Sequence, residues 1–178
     1  MFNCASFIEE ALDSIETQST KQSLEISICD DGSSDGGLDI VRSWQKKSKR
    51  VAVILSSNKT NLGPGESRNL AVQQSSGEFL AMLDADDVML PERLEKQLAA
   101  WRAVPEPDAA IVGCHLGRIP TDSTPRYQVC SAIFHAISYA MCGCCLHICD
   151  GLILYRCLKS AITLDAPTRV CVFVKEIR

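Results

Sequence analysis

The sequence lacks a strong charge of either sign: 18 Lys+Arg stand against 22 Asp+Glu, a formal net charge of -4. That excludes the broad basic field by which proteins attract nucleic acid without sequence preference. It also lacks the composition of a disordered chain or a pure coiled coil, because 46% of residues are hydrophobic and only 22% charged. There is no internal repeat and no low-complexity tract. Residues 1–10 have neither the basic start nor the apolar run of a secretory leader. The expected compartment is therefore reducing and cytoplasmic, where the 10 cysteines stay thiols or bind metal instead of forming disulfides. The longest stretch without a formal charge, residues 127–149, is long enough to span a bilayer. It holds Gln128, His135, Gly143 and His147, so no membrane association is expected.

What is present is unevenly spread. Residues 1–127 carry 13 Lys+Arg and 19 Asp+Glu, whereas residues 128–178 carry 5 and 3. Three cysteines fall in the first segment and seven in the second. This predicts two pieces, a domain over 1–127 and a Cys-rich tail over 128–178.

Within the first piece, helix and strand signals alternate. Phe7, Ile8, Leu12 and Ile15 recur at helical spacing among acids. Leu24, Ile26 and Ile28 alternate with Glu25, Ser27 and Cys29 as a strand does. Ile40, Val41 and Trp44 mark a second helix, which ends in cations at 46–50 that suit its dipole. Residues 51–55 form a continuous apolar run, predicting a strand buried on both faces. A Gly-Pro loop at 61–65 leads into a helix over 66–74. Residues 79–83 form another buried strand, Pro91 opens a helix carrying Leu94, Leu98 and Trp101, and 109–113 is a short strand. This order predicts an α/β fold with a mostly parallel sheet covered by helices on both faces. Ligands of such sheets sit beyond the carboxyl ends of the strands.

Acidic clusters fall at two of those ends. Asp30, Asp31, Gly32, Ser33, Ser34 and Asp35 follow the first strand. A carboxylate there can accept a base N–H or a ribose hydroxyl, although the same residue types make ordinary turns. Asp84, Ala85, Asp86 and Asp87 follow the strand at 79–83. Residues i and i+2 of an extended chain point the same way, so Asp84 and Asp86 can converge on one cation. Mg²⁺ and Mn²⁺ favour such oxygens together with phosphate; the alternative is a solvated acidic turn. Between them, Asn61, Gly63, Pro64, Gly65 and Arg68 form a glycine-rich helix start suited to an anion, with Arg68 able to grip a phosphate or a carboxylate.

Several stretches together resemble glycosyltransferase family 2, whose members adopt the GT-A fold. They are Asn3-Cys4-Ala5-Ser6-Phe7-Ile8 with Ala11-Leu12-Asp13-Ser14-Ile15, DDGSSDG at 30–36, NLGPGESRN at 61–69, and SSGEFLAMLDADD at 75–87 with Pro91 and Leu94. The likeness covers about residues 2–113. It implies that residues 1–127 form a partial nucleotide-sugar-binding domain. It further implies that Asp31, with Asp30 alongside, meets the uracil or ribose. Arg68 lies on the nucleotide side, Asp84 approaches the ribose, and Asp86, with Asp84 nearby, holds a Mn²⁺ or Mg²⁺ bridging the diphosphate. IVGCHLGRIPTDSTPRY at 111–127 and SSGEFLAMLDADDVMLPER at 75–93 are similar to queuosine-tRNA galactosyltransferases. That narrower likeness implies UDP-galactose as donor, a tRNA as acceptor and an inverting transfer.

Two departures shape the expectation. The family begins with a strand ending in a Pro-x-x-Asn turn. Here Asn3 matches the Asn, but no apolar strand signal lies before Phe7, so that strand is missing or another segment replaces it. After residue 127 the likeness stops. The only acids there are Asp150, Asp165 and Glu176, no Glu-Asp pair supplies a general base, and no catalytic residue is assigned. The sequence therefore predicts an incomplete domain joined to an unrelated tail, as in a shortened or alternatively spliced product, with transferase activity weak or absent. The competing expectations are a non-catalytic product and a Mg²⁺-dependent phosphoryl enzyme using Asp30, Asp31, Asp84 and Asp86. In the tail, Cys142, Cys145, His147 and Cys149 suggest zinc but lack the paired spacing of a structural site.

Overall fold

The computed structural model describes residues 1–103, 110–112, 115–119, 126–130, 137–138, 154–156 and 169–175. In chain order the elements are α1 (Ile8–Glu16), β1 (Ser23–Asp30), α2 (Gly37–Lys47), β2 (Val51–Ser57), α3 (Pro64–Gln74), β3 (Phe79–Asp84) and β4 (Val88–Met89). There follow α4 (Arg93–Arg102), β5 (Ala110–Val112), β6 (His115–Ile119), β7 (Arg126–Cys130), β8 (Ile137–Ser138), β9 (Leu154–Arg156) and β10 (Arg169–Lys175). Among the described residues the main sheet has the order β2-β1-β10-β3-β9-β5-β8, and a small sheet has the order β4-β7-β6. Strands β2, β1, β10 and β3 run parallel. The sheet turns antiparallel from β9 outward.

The helices cover both faces, as the α/β pattern requires. Leu24, Ile26 and Ile28 of β1 join Phe79, Ala81 and Leu83 of β3 in a core that also holds Ile8, Leu12 and Ile15 of α1, Val41 and Trp44 of α2, and Leu94 and Leu98 of α4. The intervening residues Cys29 and Leu80 pack on the opposite face against Ala71 of α3. The polar half of β1 is thus buried as well, and its polar groups are satisfied there. The Ser27 hydroxyl donates to the Ala71 carbonyl at 2.7 Å, and Glu25 accepts the N–H and hydroxyl of Ser76. The Trp44 indole donates to Asp13 at 2.8 Å, tying α2 to α1, and Phe79 of β3 meets Trp101 of α4 edge-on at 4.7 Å.

Two sequence expectations are corrected. The apolar run at 51–55 is not doubly buried: among the described residues β2 is an edge strand paired only with β1, and most of it is half-exposed. The helix expected from Pro91 starts at Arg93, after a turn through Pro91 and Glu92.

The position expected of a strand before Phe7 is taken by the other end of the chain. β10 lies between β1 and β3, parallel to both, with Ile26 and Ala81 each opposite Val172. Val170 and Val172 are fully buried in the main core. The boundary expected at residue 127 is crossed too, since β8, β9 and β10 all belong to the main sheet. Cys142, Cys145, His147 and Cys149 lie outside the described residues, as does most of 127–149, whose described parts at 127–130 and 137–138 are strands. Among the described residues no helix is long and apolar enough to cross a membrane.

Candidate functional site

The register brings the two acidic clusters to one edge of the sheet. Ile28 and Leu83 share Val174 as their partner, so Asp30-Asp31 and Asp84-Asp86 leave their strands at the same level. With β10 between them, the strand tips are two strand spacings apart, roughly 10 Å. Cys4 lies near both: Asp35, Asp30 and Asp86 all act on its thiol.

The first cluster is built inward. Asp30 is 1% exposed and Asp31 0%. Asp30 accepts the Ser33 hydroxyl at 2.5 Å, the Ser33 N–H at 3.3 Å and the Ser57 hydroxyl at 3.1 Å. Asp31 accepts the Asn58 side-chain amide at 2.8 Å, the Leu62 N–H at 2.9 Å and the Gly63 N–H at 2.8 Å. Asn58 also donates to the Ser67 hydroxyl at 3.2 Å, which ties the loop to α3. Burial alone would raise the Asp31 carboxyl, but Leu62, Asn58, Ser67 and Gly63 outweigh it and hold the group below its ordinary value. A carboxylate has about four lone-pair positions, so these donors leave Asp31 little room for a further partner. In this geometry Asp31 braces the loop that carries Asn58, Leu62 and Gly63. The loop passes so close to Gly32 that a Cβ there would sit 3.3 Å from the Thr60 carbonyl carbon, and Gly32 also has φ of 78°. Glycine is the residue that allows both.

The second cluster is less enclosed, although Asp84 Oδ1 is itself buried. Along 84–87, Asp84 and Asp86 are half-buried while Ala85 and Asp87 are buried, so the first two share a side. The Asp87 N–H donates to the Asp84 carbonyl at 3.1 Å, closing the turn. Paired hard oxygens suit Mg²⁺ or Mn²⁺. Among the described residues no group of three His, Cys, Asp or Glu could hold a metal ion. Asp84 and Asp86 alone would supply only part of a coordination shell, the rest being left to phosphate or water.

Arg68 sits on α3 directly behind the loop, on a helix opened by Pro64. Its Nε is buried and has no hydrogen-bond partner among the described residues. Such groups are rare unless a ligand, water or ion satisfies them.

Other connections were not legible beforehand. Residues 1–5 are knitted to the first cluster: the Asn3 N–H donates to Ser33 Oγ at 3.0 Å, the Ser34 N–H to Asn3 Oδ1 at 3.0 Å, and the Ala5 N–H to Asp35 Oδ2 at 2.6 Å. Capping of α2 by Ser33, Ser34 or Asp35 was, by contrast, open to expectation from residue type, and Asp35 does it, accepting the first N–H of the helix, that of Gly37, at 2.9 Å. Asn58 and Ser67 were missed; their only signal was a polar residue at the end of an apolar strand and a serine on the inner face of a helix. Cys4 is no nucleophile. Burial pushes its thiol up to about 11, Asp35, Asp30 and Asp86 add to this, and the Met1 ammonium only partly opposes it.

Residues 1–156 match the sequence profile described as Glycosyl transferase family 2. An uncharacterized glycosyltransferase of Methanocaldococcus jannaschii is 41% identical over 91 residues, 51% of this chain and 31% of the relative. The crystal structure of S. aureus TarS 1-349 in complex with UDP superposes with a TM-score of 0.53 at 30% identity, over 62% of this chain and 32% of that one. The mannosyltransferase PcManGT from Pyrobaculum calidifontis, solved with GDP-Man and Mn²⁺, superposes with a TM-score of 0.56 at 31% identity, over 65% of this chain and 33% of that one. The chain thus spans about a third of the length of these relatives. The profile match runs past residue 127 through β8 and β9, the α/β sheet is shared with solved GT-A structures, and the acidic strand tips stand where such sheets bind ligands: the chain belongs to glycosyl transferase family 2.

Proposed function

We propose that this chain holds a nucleoside diphosphate sugar at the carboxyl edge of β1 and β3, through a divalent cation on Asp86 and Asp84, as the donor half of a glycosyl transfer. The observation that carries this is the pairing of a half-buried D-x-D at one strand tip with a loop braced by Asp31 at the other, and with the buried Arg68 Nε, unpartnered among the described residues, on the helix that follows that loop. The proposal is supported by two neighbours, one bound to UDP and one to GDP-Man with Mn²⁺.

In this reading Asp86 and Asp84 ligate Mn²⁺ or Mg²⁺, which when bound neutralises charge on the departing diphosphate. Arg68 and the N-terminal N–H groups of α3 face the anion. Asp30 and Asp31 act on the nucleotide side. Asp31 works chiefly by fixing the Leu62 and Gly63 amides, and a direct contact with uracil or ribose would replace one of its present donors. A galactose donor and a queuosine-tRNA acceptor, with a cytoplasmic location to match, rest on the likeness of residues 75–93 and 111–127 alone.

The test is thermal unfolding of the full chain with UDP, GDP and UDP-galactose, each with and without Mn²⁺. A ligand that binds only the folded state at about 100 times its Kd stabilises by about 2.7 kcal/mol. The expected result is a rise in Tm that needs nucleotide and metal together and vanishes in Asp86→Ala. No rise with any nucleoside diphosphate contradicts the proposal. Transfer of labelled galactose to queuosine-containing tRNA tests the finer reading separately.

A further inference from the structure

The two acidic clusters sit on strands that do not touch each other. β1 pairs with β2 and β10, and β3 pairs with β10 and β9. Their separation is therefore set by β10, which reaches from Arg169 opposite Ser23 to Lys175 opposite Asp84. The lane does not end there. The Met1 ammonium donates to the Cys29 carbonyl at 2.6 Å, and the Asp31 N–H donates to the Met1 carbonyl at 2.8 Å. Those two bonds are the pattern of a parallel partner opposite Asp30. Val174 is opposite Ile28, so Met1 occupies the place two positions further along the same lane. One lane of the sheet thus carries β10 below and Met1 above.

The covalent path permits this within one chain. Arg156, which ends β9, and Val170, the second residue of β10, lie opposite the same residue, Phe79, on its two sides. The strand ends to be joined, Arg156 and Arg169, therefore lie roughly 10 Å apart, two strand spacings.

An empty lane would have chemical consequences at the site. β1 and β3 would each expose a row of N–H and C=O groups, and the apolar residues around Val170 and Val172 would lose their cover. Direct pairing of β1 with β3 would repair the ladder but halve the gap between the clusters to about 4.8 Å. That would press aspartates together at a cost and leave no room for a diphosphate.

We propose that the carboxy-terminal strand β10 is the positioning element of the donor site: by filling the lane between β1 and β3 it sets the gap between the two acidic clusters, so that nucleotide–metal binding and strand insertion are coupled. The coupling rests on the donor-site reading above; the lane does not. By linkage, a ligand that needs the filled lane must in turn favour filling it.

The test is amide hydrogen exchange on the full chain, with and without UDP and Mn²⁺, alongside calorimetric titration of the same ligands. The expected result is that amides of 169–175 are as protected as those of 79–84, and that ligand slows their exchange at least tenfold more. Val172→Pro removes a ladder N–H in a central strand. It is expected to weaken UDP–Mn²⁺ binding at least tenfold, with partial recovery when a synthetic peptide of residues 169–175 is added in excess. Unprotected amides at 169–175 beside protected ones at 23–30 and 79–84 overturn the proposal. So does a Val172→Pro chain that binds as tightly as wild type. Calorimetric binding without a change in β10 exchange overturns the coupling alone. Protected β10 amides with no calorimetric binding overturn the coupling together with the donor-site reading.

Discussion

Replacing Asp31 by alanine removes the one acceptor shared by the Asn58 amide, the Leu62 N–H and the Gly63 N–H, all at 2.8–2.9 Å. Hydrogen bonds to a charged group contribute about 1.5–3 kcal/mol each, so three could sum to about 4.5–9 kcal/mol. Leu62 is 54% exposed, and the loop can draw water into the space left behind. A loss of about 3–5 kcal/mol is therefore expected, a large share of the ~5–15 kcal/mol typical of a domain. Asp39→Ala is the control: this aspartate is 82% exposed and, among the described residues, its side chain pairs with Arg42, one turn away, at 3.2 Å, so its removal should change stability by less than about 0.5 kcal/mol. Urea unfolding of the three proteins gives both numbers.

The pH dependence adds an internal check. Asp31 is held below its ordinary value of 3.8 in the folded chain. Its contribution is therefore complete above that value and is lost as pH falls through the lower, folded value. The gap between wild type and Asp31→Ala should be widest near neutrality and narrow steadily below about pH 4. A gap under about 1 kcal/mol at pH 7, or one that widens in acid, refutes the bracing role.

Further predictions follow from single residues. Gly63 has φ of 91° and open space where a Cβ would lie, so Gly63→Ala should cost about 1–2 kcal/mol from backbone strain alone. Gly65, in α3 with equally open space and no unusual φ, should stabilise by about 0.5–1 kcal/mol as alanine; urea midpoints separate the two. Trp44→Phe should lose about 1 kcal/mol with its bond to Asp13, read by the same assay. The Cys4 thiol, 1% exposed and raised to about 11, should resist alkylation at pH 8 until the chain unfolds, as mass spectrometry of the labelled protein would show.

Local chemistry was legible where it repeats at short range. The strand carrying Leu24, Ile26 and Ile28, the Gly-Pro start of α3 and the acids after each strand could all be placed from neighbouring residues. What could not be read was pairing over long sequence distance. Residues 170–174, Val-Cys-Val-Phe-Val, favour a strand, but nothing local says that they lie between Ser27 and Met82 instead of at an edge. The same limit misplaced β2: an apolar run looks identical in a central and an edge strand, and only the sheet order distinguishes them. Asp30 and Asp31 were correctly located at a strand tip. Their saturation by Ser33, Ser57, Asn58, Leu62 and Gly63 depends on how two loops meet around Gly32, which spacing does not encode.

The most direct measurement is electron paramagnetic resonance of free Mn²⁺ titrated with the full chain, in the presence and absence of UDP. If Asp84 and Asp86 offer only part of a coordination shell and the diphosphate supplies the rest, the free-ion signal should fall steeply with UDP, little without it, and not at all in an Asp84→Asn, Asp86→Asn chain. A signal that UDP leaves unchanged in the wild-type chain, or that falls equally in the double variant, contradicts the account.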